Sequence, residues 1–225
     1  FSKLSVNNQV AQLCAEGLVQ TSLRGIDTHG IRLVPHYVTA IESGRLNPKP
    51  DIKFEQTSTS TGTLDADHTL GYAAGVIAIQ HAIKLAKESG TGFVSVKNSS
   101  HCGALAYPCL NACKEGMIGL GFTHATSRMK SPGSKREFFG ANPLCFTAPM
   151  EKEDPFCFDS SPTMIPFHKI FNYRETSSEL PNGCAADING NETLDPLKAV
   201  QLLPIGDYKG FGWSMMVDIL AGLLS

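Results

Sequence analysis

Three short polar clusters hold the side chains of this 225-residue chain best suited to chemistry. Asp27-Thr28-His29-Gly30-Ile31-Arg32 follows a helical stretch, and Asn98-Ser99-Ser100-His101-Cys102-Gly103 joins a strand to a helix. Asp207-Tyr208-Lys209-Gly210-Phe211-Gly212 feeds the last apolar segment. A histidine with a pKa near neutrality can take or give a proton in either direction of a reaction. Loops between strand and helix are where α/β proteins hold ligands, and a helix starting near Gly103 would turn N–H groups toward an anion. Lys209 could meet a carboxylate or a phosphate. Taken singly, each cluster also reads as ordinary structure: Asp27 to Gly30 as a cap and turn, Ser99 or Ser100 as a cap for the helix at 103, Lys209 as a solvated lysine. Arg128, Lys130, Lys135 and Arg136 likewise read as solvated loop charge.

The elements that must position these clusters follow from hydrophobic period and turn residues. Residues 4–22 have apolar side chains at helical spacing, a shorter helix is expected at 33–43, and 52–66 reads as a β-hairpin around a Thr/Ser-rich turn. The small-residue stretch 71–89 is expected to be a helix packed close to a sheet, with Gly90 just past its end. Strands are expected at 92–96, 117–122, 144–149 and 155–159, and a helix at 103–115. Residues 160–207 read as loop with Asn-Gly turns at 182–183 and 189–190, followed by a helix from 210 preceded by Lys209. Alternating strands and helices indicate an α/β fold. A boundary is expected near 66–72.

Composition excludes several function classes. With 19 basic against 21 acidic side chains, a formal charge of −2 and 42% hydrophobic residues, the chain has neither a nucleic-acid footprint nor the composition of a disordered protein. No apolar run approaches the length of a membrane helix, and the opening FSKLSVNNQV does not read as a secretory signal. The seven cysteines (14, 102, 109, 113, 145, 157 and 184) lack a regular framework, so reduced, mostly buried thiols in a cytoplasmic protein are expected. A zinc cluster of His101 with Cys102, Cys109 and Cys113 lacks paired C-x-x-C knuckles, and no metal site is expected. P-loop, H-E-x-x-H, G-x-S-x-G and G-x-G-x-x-G signatures are absent, so an ordinary Rossmann fingerprint is missing. The apolar segment Gly212–Ser225 reads as a helix stopped in mid-course, which suggests most of a subunit rather than all of one.

Together the clusters are more specific than apart. D-T-H-G, P-H-Y, N-x-S-H-x-G-A-x-x-Y, F-x-G-A-N-P-L-x-F-x-A-P and L-L-P-x-G-x-Y-K-G-F-G occur in that order. This ordered set, spanning Leu13 to Leu224, resembles the malate/L-lactate dehydrogenase-like family of NAD(P)-dependent oxidoreductases, and His101 to Tyr107 is similar to its ureidoglycolate and sulfolactate dehydrogenase branch. The resemblance implies a non-Rossmann mixed-sheet nucleotide-binding domain with a second helical/mixed domain. Residues 1–70 would form the helical and hairpin part of a substrate and dimerisation domain, 71–209 the nucleotide-binding region, and 210–225 the start of a return helix.

The implied activity is hydride transfer between NAD or NADP and the C2 carbon of a small 2-hydroxy or 2-oxo acid, in a cytoplasmic homodimer with active sites near the subunit contact. By motif match, His101 and His29 take the positions of the acid/base histidines. Arg32, Tyr37 and Asn142 fall near the substrate, and Thr123, His124, Asp159, Ser160, Ser161 and Lys209 near the cofactor. Three positions depart from the family pattern: Leu33 stands where many relatives carry Arg, Pro162 interrupts the nucleotide loop, and His168 replaces a common Gly. The rival readings are a catalytically silent cofactor-binding relative and a metal-assisted hydrolase built on His101 and the cysteines.

Overall fold

The computed structural model describes residues 1–225, which divide into two compact units. The first comprises 1–121, 145–159 and residue 225; the second comprises 122–144 and 160–224. The fold is mixed α/β with three small sheets.

In the first unit, helix α1 spans Asn8–Leu23. Asn7 caps it by accepting from the N–H groups of Gln9 and Val10 at 3.0 and 3.5 Å. The side chains of Val10, Cys14, Leu18 and Thr21 recur on one helical face and are buried. Pro35 sits in the first turn of α2, Val34–Glu42, where a missing N–H costs nothing. Strands β1, Lys53–Gln56, and β2, Thr61–Asp65, form the expected hairpin, in register from Lys53 opposite Asp65 to Gln56 opposite Gly62. Helix α3, Gly71–Ser89, then crosses to β3, Phe93–Lys97, which runs parallel to β2. Gly90 closes α3 in the left-handed conformation, as expected. Val6, Val10, Cys14, Leu18, Tyr37, Leu70 and Tyr72 share one core.

Helix α4 spans Ala106–Lys114 and starts three residues later than expected at 103. Gly103 has φ +64°, outside the helical region, and a Cβ there would collide with the Tyr72 ring. Strand β4, Gly119–Phe122, lies before two very short strands of the second unit, β5 at Met129–Lys130 and β6 at Glu137–Phe139. Strands β7, Leu144–Ala148, and β8, Phe156–Ser160, complete a sheet of order β4-β7-β8, close to expectation.

The second unit departs further from the sequence reading. The stretch expected as loop contains helix α5, Phe167–Glu175, and strands β9, Ala185–Ala186, and β10, Gln201–Leu202. These strands form a sheet of order β6-β5-β10-β9 over a core of Ile165, Ile170, Leu180, Cys184, Ala199 and Leu202. Two-residue strands show no alternation, and α5 buries a single side chain, Ile170, so neither leaves a periodic signal. The Asn-Gly turns are present, with Gly183 and Gly190 at φ +71° and +80°. Helix α6 spans Tyr208–Asp218 and continues into a π-helical turn, Ile219–Leu223. Lys209 therefore lies inside the first turn of α6, not ahead of it.

Candidate active site

The first unit brings His29 and His101 together. Their rings stack with centroids 5.8 Å apart and planes 20° from parallel. His29 ends a short 3-10 turn, Asp27–His29, with its Nδ1 2.9 Å from the Thr28 hydroxyl. Gly30 follows because a Cβ there would strike Ser22, whose hydroxyl accepts from Ile31 N–H at 3.0 Å. His101 Nδ1 lies 2.9 Å from the Tyr37 hydroxyl, which also reaches the His101 carbonyl at 3.3 Å. Tyr37 is 1% exposed. It touches the imidazole from behind, inside the core, and burial pushes its phenol above the usual range, so it stays protonated.

Tyr72 ties the two histidine segments to one point. Its hydroxyl donates to the His29 carbonyl at 2.7 Å and accepts from Ala104 N–H at 3.1 Å. With its one proton spent on His29, the Thr21 hydroxyl 3.0 Å away must donate to it. Burial pushes the Tyr72 phenol up to about 12. Ser100, considered as a cap for the helix after it, instead accepts from Gly71 N–H and donates to the Thr69 carbonyl, both at 2.9 Å, and so fixes the start of α3.

A third imidazole meets the pair. His36 stands edge-on to His101, with centroids 5.9 Å apart. Its Nε2 lies 3.3 Å from an Arg45 guanidinium nitrogen. A guanidinium can only donate, so Nε2 accepts and that nitrogen carries no proton. Burial first, then the charge of Arg45, lowers the His36 pKa. The P-H-Y motif contained His36, but nothing in its spacing singled it out. Arg32 lies exposed in the 3-10 turn Ile31–Leu33, whereas Leu33 is 7% exposed and belongs to the core. The cation of this turn therefore stands at 32.

Asp159, expected at the cofactor, has a local partner. Its Oδ2 accepts from Ala106 N–H at 2.8 Å, occupying the anion position at the start of α4. Burial raises its pKa, opposed by the Ala106 N–H, Arg24 and the Leu105 N–H. The cysteines of the proposed zinc cluster are divided: Cys109 and Cys113 are buried on α4, and Cys109 packs with Cys145 and Cys157. No group of three or more His, Cys, Asp or Glu side chains is placed to hold a metal ion.

The second unit holds Thr123, His124, Asn142, Ser160, Ser161 and Lys209. Thr123 N–H donates to the Pro143 carbonyl at 3.3 Å, and His124 is exposed beside it. Asn142 is 0% exposed, with its amide committed to Ala125, Ser214 and Asp218, so it does not offer that amide to a substrate. Ser160 donates to the Ser161 carbonyl at 3.1 Å. Thr163 donates to the Ile165 carbonyl at 3.0 Å, so the Ser161 hydroxyl at 2.9 Å donates to Thr163. The Pro162 carbonyl accepts from Ile205 N–H at 2.9 Å, and a Cβ on Gly210 would meet that carbonyl oxygen at 2.5 Å. The serine loop and the Lys209 turn are thus adjacent. Exposed Lys209 is a cation suited to a phosphate-bearing cofactor, whereas the Ser160 and Ser161 hydroxyl protons are spent within their own loop. No helix of the chain is long and apolar enough to cross a membrane.

The family model described as malate/L-lactate dehydrogenase matches residues 1–225. The malate dehydrogenase of Pyrococcus horikoshii is 36% identical over 235 residues, covering 100% of this chain and 65% of the relative. The L-sulfolactate dehydrogenase of Methanocaldococcus jannaschii is 34% identical over 225 residues, covering 99% and 65%. The crystal structure of malate dehydrogenase from Entamoeba histolytica superposes with a TM-score of 0.95 at 29% identity, over 100% of this chain and 66% of that one. The chain thus spans just under two-thirds of the length of the curated relatives it matches.

Proposed function

The chain belongs to the malate/L-lactate dehydrogenase family, and we propose that it transfers a hydride between NAD or NADP and the C2 carbon of a small 2-hydroxy or 2-oxo acid. The observation that carries this reading is the stacked His29–His101 pair with Tyr37 on His101 Nδ1. Oxidising an alcohol requires a base for the hydroxyl proton, and reducing a ketone requires an acid for the new alkoxide. With Nδ1 turned to Tyr37, the substrate proton is exchanged at His101 Nε2. The Tyr37 hydroxyl serves both directions. When it accepts from Nδ1–H and donates to the His101 carbonyl, Nε2 presents a lone pair as base; taking the substrate proton there gives the imidazolium, whose Nε2–H is the acid for the reverse direction while Nδ1–H stays on Tyr37. His29 assists, orienting the substrate oxygen. The exposed guanidinium of Arg32 is the cation for the substrate carboxylate.

Lys209, Thr123, His124 and the loop of Ser160 and Ser161 would hold NAD(P), which supplies hydride chemistry at its nicotinamide C4 when bound. Asp159 contributes as the cap of α4. The missing G-x-G-x-x-G run and the small sheets β4-β7-β8 and β6-β5-β10-β9 support a non-Rossmann nucleotide-binding region within 71–209, flanked by a substrate and dimerisation part at 1–70 and a return helix at 210–225. Family membership supports a cytoplasmic homodimer. Fluorescence titration with NADH and NADPH, followed by a screen of pyruvate, oxaloacetate, sulfopyruvate and oxalurate for cofactor consumption, tests the reading. Saturable binding of one nucleotide and turnover of at least one acid are expected; binding of neither overturns it.

A further inference from the structure

We infer that Asn142 is a positioning residue, locking the strip Thr123–Ala125 onto α6 so that Thr123 and His124 are presented in one arrangement. Three bonds make the lock. Asn142 Oδ1 accepts from Ala125 N–H at 2.9 Å, while Nδ2 donates to the Ser214 carbonyl at 2.9 Å and to Asp218 Oδ2 at 3.3 Å. Both amide hydrogens are thereby spent, and the side chain is 0% exposed. Ser214, equally buried, grips the other end of the same turn by donating its hydroxyl to the Gly140 carbonyl at 2.8 Å. The turn itself lies flat on the strip: a Cβ on Gly140 would collide with the Ala125 carbonyl. One residue of α6 thus holds both Gly140 and Asn142, and Asn142 hands that restraint to Ala125.

The residue type is dictated by these partners. Aspartate at 142 keeps an acceptor for Ala125 but sets an oxygen against the Ser214 carbonyl and a second carboxylate against Asp218. Leucine makes none of the three bonds. The role rests on the reading of Thr123 and His124 as cofactor contacts, but the lock itself is a property of the second unit alone.

The test compares the full chain with Asn142→Asp, the double variant Asn142→Asp/Asp218→Asn, and the milder Ser214→Ala. The readouts are amide hydrogen exchange at Ala125, the dissociation constants of NADH and NADPH, and KM for the best 2-oxo acid at saturating cofactor. We expect Asn142→Asp to speed Ala125 exchange and weaken cofactor binding by tenfold or more, with substrate KM unchanged within twofold. Replacing Asp218 as well removes the facing carboxylate and supplies a donor, so half or more of the loss, on a logarithmic scale, is recovered. Ser214→Ala speeds exchange by about threefold. Unchanged Ala125 exchange in both single variants overturns the lock, and a raised substrate KM that the second substitution does not correct makes Asn142 a substrate contact instead. Wild-type protein that binds neither nucleotide overturns the dehydrogenase reading and the cofactor role together, while the exchange comparison still decides the lock.

Discussion

The Tyr37 hydroxyl stands 2.9 Å from His101 Nδ1, and the tyrosine that carries it is 1% exposed. A core residue of α2 therefore governs which nitrogen of an exposed histidine holds the proton. Tyr37→Phe keeps the ring packing and removes only the hydroxyl. We expect a stability loss of about 1 kcal/mol and a fall in kcat of about tenfold or more. Cofactor affinity should be unchanged. Thermal unfolding alongside steady-state kinetics checks both, and unaltered kcat would detach Tyr37 from the chemistry.

Tyr72→Phe removes the shared partner of Thr21, His29 and Ala104 at a site that is 0% exposed. Leaving these groups without it should cost about 1–3 kcal/mol, more than Tyr37→Phe. Gly103→Ala should be at least as damaging, because the new methyl meets the Tyr72 ring and φ is +64°. Urea denaturation of the three variants gives the order directly.

Asp159 permits a signed pH prediction. Its folded pKa is raised above the ordinary aspartate value, mainly by burial, so between that value and the folded pKa the native state holds more protons than the unfolded chain. Stability contributed by this group consequently falls as pH rises through that window. Asp159→Asn retains an acceptor for Ala106 N–H and carries no charge, so it should remove this part of the pH dependence without loosening α4. Asp159→Ala should cost about 1 kcal/mol through the lost cap. Stability measured across the acidic range distinguishes the three proteins, and a steeper fall with rising pH in Asp159→Asn than in wild type would contradict the sign.

Thiol reactivity follows from burial. Burial pushes the Cys14 thiol up to about 12 and Cys157 up to about 11, and Cys145 is raised further by hydrogen bonding to Cys109 together with burial. Thiolate is the reactive form. Iodoacetamide at pH 8 followed by peptide mapping should leave Cys14 and Cys145 unmodified in native protein and modified after unfolding. Rapid native labelling at either position would contradict the packing described.

Much of the first unit was legible because its elements are long and patterned. The small residues of α3, the hairpin and the strand-to-helix loop carrying His101 each left a local signal. The contacts that make a site of them did not. Tyr72 sits within a helix whose other buried residues are mostly small and reads as simple core; only the fold brings it to Thr21, 51 residues away, and to Ala104, 32 residues away. His36 gains meaning only when Arg45 fixes the state of its Nε2. The saturation of Asn142 depends on Ser214 and Asp218, 72 and 76 residues distant. In the second unit, two-residue strands and a helix with one buried side chain fall below what periodicity can register.

The role of His101 is tested most directly by comparing His101→Asn with wild type for NAD(P)H binding and for turnover of the preferred 2-oxo acid. Cofactor affinity within about threefold of wild type, with kcat reduced by about a hundredfold or more, is the expected result. Undiminished kcat in His101→Asn would contradict the assignment of His101 as the acid/base.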